Sequence, residues 1–452
     1  MIDLPNTLTA YKRAVKAKQI DPNIALKLQQ VRFHDMAKQL KCVVDFYDTP
    51  PLAMRSNLGA ALAHKDIFDQ SERAPGMGLR RGLHHKRIKQ AHALQRLELA
   101  GFADLGALSM APDACSSIAE PAPTAENTVA ACLNPLDSSW CVGGSSSGSA
   151  VAVASGAIFG SLGSDTAGSV RIPAFTCGIL GLKPTLGLIR KHGMVPLSPS
   201  LDTIGILTRS AQDIDVLLEV ITTRNQLVAA KRLAHSYRVK GWVPFDPKTS
   251  QLNQIDAPIA QILTAFHKQF GHAIQHTPLK WLDSATLLQS IVMNHEVGET
   301  HKKAILNGSA SPAVRELGVL GMLQPREWYA YAQTKRSDYL AEFVKAHFAD
   351  TDILITPAYA YSLPDADEVS AGSKAFNARK RLALHRFTGF VNYLGLPALV
   401  MPIGQDKVGK PISIQLLAKP FHERALISYA SHIEKIIFGE NGILPTHFKS
   451  GH

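Results

Sequence analysis

The stretch GGSSSGSAVAVASGAIFGSLGSDTAGSVRIPA, from Gly143 to Ala174, decides how this chain is read. Its glycine and serine content resembles a flexible linker, but linkers do not carry AVAVA, IF and VRIP between their serines. The segment therefore needs close backbone packing and hydroxyl groups together. Small residues on all sides of 151–161 predict a tightly packed helix. Ser169 ends the run Asp165-Thr166-Ala167-Gly168-Ser169, where small residues allow a tight turn with inward N–H groups able to hold an oxyanion. By residue type alone, a structural Gly/Ser turn is the commoner explanation. The segment GSSSG (144–148) also has the form of a nucleophile elbow at Ser146. That motif needs a strand leading in, and NPLDSSWCV (134–142), with its proline and aspartate, reads poorly as one.

Working outward, GAALAHKDIFD (59–69) reads as a buried strand ending at His64, Lys65 and Asp66. A hydroxyl nucleophile needs a base, and Lys65 is the best candidate, because burial disfavours the charged form of a lysine. The competing reading is a salt bridge to Asp66 or Asp69, or a strand end in solvent. Strand alternation turns His64 away from whatever Lys65 faces. Helical spacing covers 5–40, 90–100, 211–233, 252–271, 284–348 and 423–436. Strand-like runs occupy 103–110, 179–189, 351–360, 399–403 and 412–417, and Pro244 and Pro247 make 235–250 read as a loop. Strands alternating with helices predict an α/β protein with a largely buried sheet. No internal repeat or clean linker appears. Early and late segments both hold core-like strands, so residues 1–452 are expected to form one domain, with 235–345 as a helical region upon it.

The chain has 452 residues, 46% of them hydrophobic, enough for a large core. Forty-eight Lys and Arg against 37 Asp and Glu give +11, a weak pointer to anionic partners. The densest basic run, RRGLHHKRIK (80–89), has no interleaved aromatics, so a solvated loop is favoured over a nucleic-acid patch. Five scattered cysteines without a CxxC pair exclude a disulfide scaffold or zinc ribbon and favour a reducing compartment. No HExxH or Cys/His cluster suggests a metal, and no cofactor is expected. With neither a signal-peptide pattern at the N-terminus nor an apolar run long enough to span a bilayer, a cytoplasmic location is expected.

The central segment resembles the signature of the amidase signature family, the Ser-Ser-Lys amidases. That pattern has two glycines, a serine, a small Gly/Ser-rich run and then GSDTxGSxRxPA. Ser145 follows Gly143-Gly144, Ser169 stands 24 positions later, and Lys65 in LAHKD fits the family's lysine. CGILGLKPTLG (177–187), GMVPLSPSLDTIGILTRSAQD (193–213), LGLPALVMPIG (394–404) and GKPISIQLLAKPF (409–421) extend the likeness. It covers about 55–215 and 350–430 well. This chain departs from many members in having Ala167-Gly168 for Gly-Gly and a third serine for SSGG, forms also seen in members resembling allophanate hydrolase.

The resemblance implies an amidase signature fold, with a central mostly parallel or mixed twisted sheet covered by helices on both faces. It implies hydrolysis of a carboxylic amide to a carboxylate and ammonia or an amine. Lys65 would take a proton from Ser145, Ser145 from Ser169, and Ser169 would form an acyl-enzyme. Backbone N–H groups of Thr166, Ala167, Gly168 and Ser169 would hold the oxyanion. Asp165 and Arg171, with Gly143 and Gly144, would support the loops, and a cis peptide is expected at Ser145. Ser146, Ser147 and Ser149 read as packing or hydrogen-bonding residues, and Cys141 and Cys177 as buried small hydrophobes. Three loops, about 110–142, 300–330 and 360–392, are expected to shape a partly apolar pocket with Met110, Trp140, Leu317, Met322, Tyr361 and Phe390. Three activities stay open: a free-standing hydrolase of small or aryl amides, an amidotransferase A-like glutaminase, and an allophanate-type hydrolase. A catalytically silent scaffold is disfavoured by the intact Lys65, Ser145 and Ser169. A small amide substrate is expected and a homodimer is the family habit. A partner amidotransferase subunit stays open, and neither membrane nor nucleic acid is expected.

Overall fold

A computed structural model describes residues 4–47, 58–70, 73–78, 90–111, 114–115, 131–222, 236–243, 255–275, 281–439 and 442–444. The basic run 80–89 lies outside them. The chain opens with helices α1 (Leu8–Lys16) and α2 (Pro22–Leu40). The sequence reads 5–40 as helical, but the helix is interrupted. Lys18 takes a left-handed φ of 56°, and Asp21 then caps a new helix by accepting from the N–H groups of Asn23 and Ile24. Pro22 stands at N1, where its missing N–H costs nothing.

Strands β1 (Val43–Phe46) and β2 (Ala60–Lys65), helix α3 (His92–Leu99) and strand β3 (Phe102–Leu108) follow. The quoted segment then folds as helix α4 (Ser147–Ala154), strand β4 (Gly160–Asp165) and helix α5 (Arg171–Thr176). The helix expected over 151–161 thus ends early, and a strand begins at Gly160. All six residues of β4, GSLGSD, are buried. Its glycines allow close approach: a Cβ on Gly160 would lie 2.7 Å from Leu217 Cδ1, and one on Gly163 2.6 Å from Ser146 Oγ. This strand has no apolar alternation to read, because small size, not hydrophobicity, qualifies its residues.

Strands β5 (Leu180–Lys183) and β6 (Thr203–Thr208) precede helix α6 (Ala211–Ile221). The rest of the helix expected to 233 lies outside the described residues, apart from Thr222. Strand β7 (Val239–Trp242), helix α7 (Ala257–Gln269) and strand β8 (Ala273–Gln275) come next. The loop expected over 235–250 therefore contains a strand. β7 is made by its neighbours: it pairs in parallel with β8 and with β9 (Ile353–Pro357), and Trp242 is buried against Phe343. Between them run helices α8 (Leu282–Leu306), α9 (Pro312–Leu323) and α10 (Arg326–His347). Short helices α11 (Ala366–Val369), α12 (Ala378–Ala383) and α13 (Gly389–Leu394) lead to strands β10 (Ala398–Gln405) and β11 (Pro411–Leu417) and to helix α14 (Glu423–Phe438).

Among the described residues the strands form an 11-stranded sheet in the order β1-β3-β2-β4-β6-β5-β10-β11-β9-β7-β8. It is mixed. Pairs β3-β2, β2-β4, β9-β7 and β7-β8 are parallel, and the centre from β4 to β9 is antiparallel. The parallel β2-β4 pairing, with His64 opposite Leu162, brings the carboxyl ends of both strands to one edge. Open α/β sheets bind ligands beyond such carboxyl ends. Lys65 closes β2 there, and Ser164 and Asp165 close β4.

Candidate active site

Lys65 is fully buried, and its Nζ donates to Ser145 Oγ at 2.7 Å and to Ser164 Oγ at 2.8 Å. Burial pushes its ammonium down to about 7, while the Asp202 and Asp165 carboxylates pull the other way. The competing salt bridge to Asp66 is not formed, since that carboxylate accepts from Arg73 Nη2 at 3.1 Å and from the Gly76 N–H at 3.0 Å. His64 faces the other side, as alternation requires, with Nδ1 2.9 Å from Asp104 Oδ2 and Nε2 3.3 Å from the Tyr47 hydroxyl.

Ser145 reaches Lys65 from the loop before α4. The Gly144–Ser145 peptide is cis, as expected, and the Ser145 carbonyl accepts from the Ala111 N–H at 3.1 Å. Gly143 is forced by contact: a Cβ there would lie 2.7 Å from the Ile172 carbonyl carbon and the Pro173 nitrogen. Its neighbours are structural. Ser147 Oγ donates to the Gly143 carbonyl at 2.8 Å, Ser146 Oγ to the Ser164 carbonyl at 3.3 Å and Ser149 Oγ to the Leu162 carbonyl at 3.5 Å. The Ser146 N–H donates to the Ser169 carbonyl at 3.1 Å, which ties the two serine loops together.

Ser169 stands in the turn between β4 and α5. The fully buried Asp165 carboxylate organises that turn, accepting from the N–H groups of Gly168 (2.9 Å) and Val170 (3.1 Å) and from Arg171 Nε (3.1 Å) and Nη2 (2.9 Å). Burial alone would raise its pKa; the Arg171 guanidinium and the Asn392 amide more than offset this and hold the carboxyl below its usual range. Arg171, itself fully buried, donates to Gln415 Oε1 at 2.7 Å and to the Thr388 carbonyl at 3.2 Å. Both supporting residues therefore lie in the interior, not at the surface. Within the described residues the Thr166, Ala167 and Ser169 N–H groups carry no hydrogen bond, whereas that of Gly168 is committed to Asp165.

Several contributors carry no clear signal in the sequence. Ser164 stands one residue before Asp165 in the quoted stretch, at the buried carboxyl end of a strand that has no alternation to read. Thr166 Oγ1 donates to Asp202 Oδ1 at 2.6 Å, and burial raises that carboxyl to about 6. Asn392, Thr388, His385 and Gln415 arrive from more than 200 positions away, and no local pattern announces them. The expected pocket residues divide. Phe390 is buried against Trp242 and Phe343, Met110 is buried in the main core, and Leu317 and Met322 pack against that core. Trp140 and Tyr361 instead flank the cluster of Cys141, Ile172 and Tyr359. Burial pushes the Cys141 thiol up to about 12 and Cys177 likewise upward, which suits packing and not nucleophilic chemistry. Among the described residues no group of three or more His, Cys, Asp or Glu is arranged to hold a metal, and no helix is long and apolar enough to cross a membrane.

Three comparisons bear on this geometry. Over 94% of its length, and 93% of the relative's, the chain is 26% identical to the A-type subunit of the glutamyl-tRNA(Gln) amidotransferase of Koribacter versatilis. A crystal structure of an amidase superposes with a TM-score of 0.81 at 25% identity, covering 95% of this chain and all of that one. The substrate complex of 6-aminohexanoate cyclic dimer hydrolase superposes with a TM-score of 0.80 at 22% identity, covering 97% and 98% of the two chains. The family model described as Amidase matches residues 65–237 and 227–427, a span that begins at Lys65 and takes in both serine loops, so the chain belongs to the amidase signature family of amide-hydrolysing enzymes.

Proposed function

We propose that Ser169 is the nucleophile and that Lys65 activates it through Ser145. The observation that carries this reading is the fully buried 2.7 Å contact between Lys65 Nζ and Ser145 Oγ. A serine hydroxyl is too weak an acid to ionise alone near pH 7, but it passes a proton in both directions when a neutral amine stands behind it. Neutral Lys65 takes the Ser145 proton as Ser145 takes that of Ser169, and the Ser169 oxygen bonds to the amide carbon. The Thr166–Ser169 turn receives the oxyanion, with the unengaged N–H groups of Thr166, Ala167 and Ser169 available as donors. Ser145 then returns a proton to the departing nitrogen, the C–N bond breaks, and ammonia or an amine leaves. Water, deprotonated by the same relay, releases the carboxylate and restores Ser169.

The substrate reading favoured is a small or aryl amide handled by this chain alone. The likeness to an amidotransferase A-type subunit favours a second reading, glutamine hydrolysis with a partner protein. An allophanate-type amide is a third arm of the same test. Residues 1–452 are read as one catalytic unit, because strands from the early, middle and late segments share one sheet. The buried thiols Cys42, Cys132, Cys141 and Cys177 support a reducing, cytoplasmic compartment, and a homodimer accords with the resemblance. Ammonia release would be measured from an aliphatic amide, an aryl amide, glutamine and allophanate, with Ser169→Ala beside the unaltered protein. Loss of at least about 10⁴-fold in the variant is expected. Equal release from both proteins sinks the nucleophile assignment, and release from glutamine only with an added partner moves the substrate to the second reading.

A further inference from the structure

The segment from α12 to α13 lies across the Ser169 turn and grips a single peptide group. His385 Nδ1 lies 2.9 Å from the Ala167 carbonyl oxygen, and Thr388 Oγ1 donates to that same oxygen at 2.7 Å. A carbonyl only accepts, so Nδ1 carries a hydrogen in the His385 ring. At the other end of this peptide, the Gly168 N–H donates to Asp165 Oδ1 at 2.9 Å. The Ala167–Gly168 peptide is thus held from both sides. The N–H groups flanking it, on Ala167 and Ser169, carry no hydrogen bond among the described residues.

This grip matters because the turn is otherwise free to rotate there. Gly168 has φ +128°, a region glycine enters at no steric cost. A rotation of this peptide would set the Ala167 oxygen against the Asp165 carboxylate, and the backbone on either side, which carries the Ala167 and Ser169 N–H groups, would have to shift to relieve that repulsion. Oxyanion stabilisation depends on donors already aimed before charge develops. We propose that His385 and Thr388 are positioning residues: by holding the Ala167 carbonyl they aim the Ala167 and Ser169 N–H groups at the oxyanion of the tetrahedral intermediate. The proposal rests on Ser169 being the nucleophile. It assigns His385 no proton transfer, and the Nδ1–H donor is present in both the neutral ring and the imidazolium, so the grip is indifferent to pH.

The test uses an aryl fluorophosphonate, which forms a tetrahedral adduct on an activated serine whatever the natural substrate is. The labelling rate at Ser169, with the site confirmed by peptide mass spectrometry, would be compared across His385→Ala, His385→Asn, Thr388→Val and Ser169→Ala, each with a thermal melt. His385→Ala and Thr388→Val are expected to slow labelling about 10- to 100-fold while still melting cooperatively. The His385→Asn amide can occupy the Nδ1 position and is expected to recover most of the rate. The pH dependence of labelling should not move in any variant that still labels. Unchanged rates in both His385→Ala and Thr388→Val overturn the proposal. So does a shifted pH profile in His385→Ala, which would make the ring a proton-transfer group, or a folded His385→Asn as slow as His385→Ala. Labelling of the unaltered protein elsewhere than Ser169 removes the nucleophile assignment and this proposal with it, an outcome distinct from the others.

Discussion

The carboxyl ends of β2 and β5 each bury a lysine completely, Lys65 and Lys183, and burial pushes both ammonium groups down to about 7. They differ in what Nζ touches. Lys65 donates to two hydroxyls, Ser145 and Ser164, whereas Lys183 donates to the carbonyl of Pro184 at 2.9 Å. A hydroxyl has a proton to give back and a carbonyl has none. A lowered pKa therefore makes a lysine available as a base, but only a proton donor within reach makes it one. Both strand ends supply the desolvation, and only the β2 end, facing the serine loops, supplies the donor.

The largest test of this contrast replaces each lysine by methionine, which keeps the stem and removes the amine. Lys65→Met is expected to lower kcat by about 10³-fold or more, and Lys183→Met to stay within about 10-fold. Comparable losses in both would break the comparison. The next effect concerns the buried ion pair at the carboxyl end of β4. Arg171→Met leaves Asp165 buried without its guanidinium and should cost about 3–5 kcal/mol of stability, read from urea unfolding. A cost below about 1 kcal/mol would mean that Asn392 and the N–H groups of the turn satisfy the carboxylate alone.

Gly168→Ala sharpens the picture at the turn itself. Its Cβ would meet Thr388 Oγ1 at 2.4 Å from a backbone at φ +128°. A loss of about 1–3 kcal/mol in stability, with a fall in kcat, is expected from kinetics and melting of one preparation. For pH, the working form of Lys65 is neutral. The ammonium form below about 7 cannot accept a proton, so kcat/KM should rise about tenfold per pH unit up to about 7 and then level off. If this limb persists in Lys183→Met, it belongs to Lys65; if it vanishes there, the two lysines have been assigned the wrong way round. The smallest effect is Ser164→Ala, which removes one of two hydroxyls on Lys65 while sparing Ser145. A fall of about tenfold in kcat is expected, with a shift of the acid limb. No change in either would make Ser164 a packing residue.

Much of this architecture was legible in one dimension. Alternation and apolar runs located β2, β9, β10 and β11, and spacing located the long helices, because those elements bury an apolar face that the pattern must encode. Strand β4 was unreadable, since its residues are chosen for smallness against Ser146 and Leu217. Strand β7 was hidden because pairing with β8 and β9 makes it a strand.

The sequence by itself determined the chemical parts: Lys65 at a strand end, Ser145 after two glycines, and Ser169 in a turn opened by Asp165. Motif residues close together in the chain share a local geometry that their order can carry. Only the tertiary structure decided that Lys65 faces hydroxyls while Lys183 faces a carbonyl. It alone showed that Ser164 shares the lysine, and that Asn392, Thr388 and His385 close over the Ser169 turn. Those choices depend on which strand ends and distant loops come to lie side by side. Sheet order and register set that proximity, and the chain settles them only when the whole core packs.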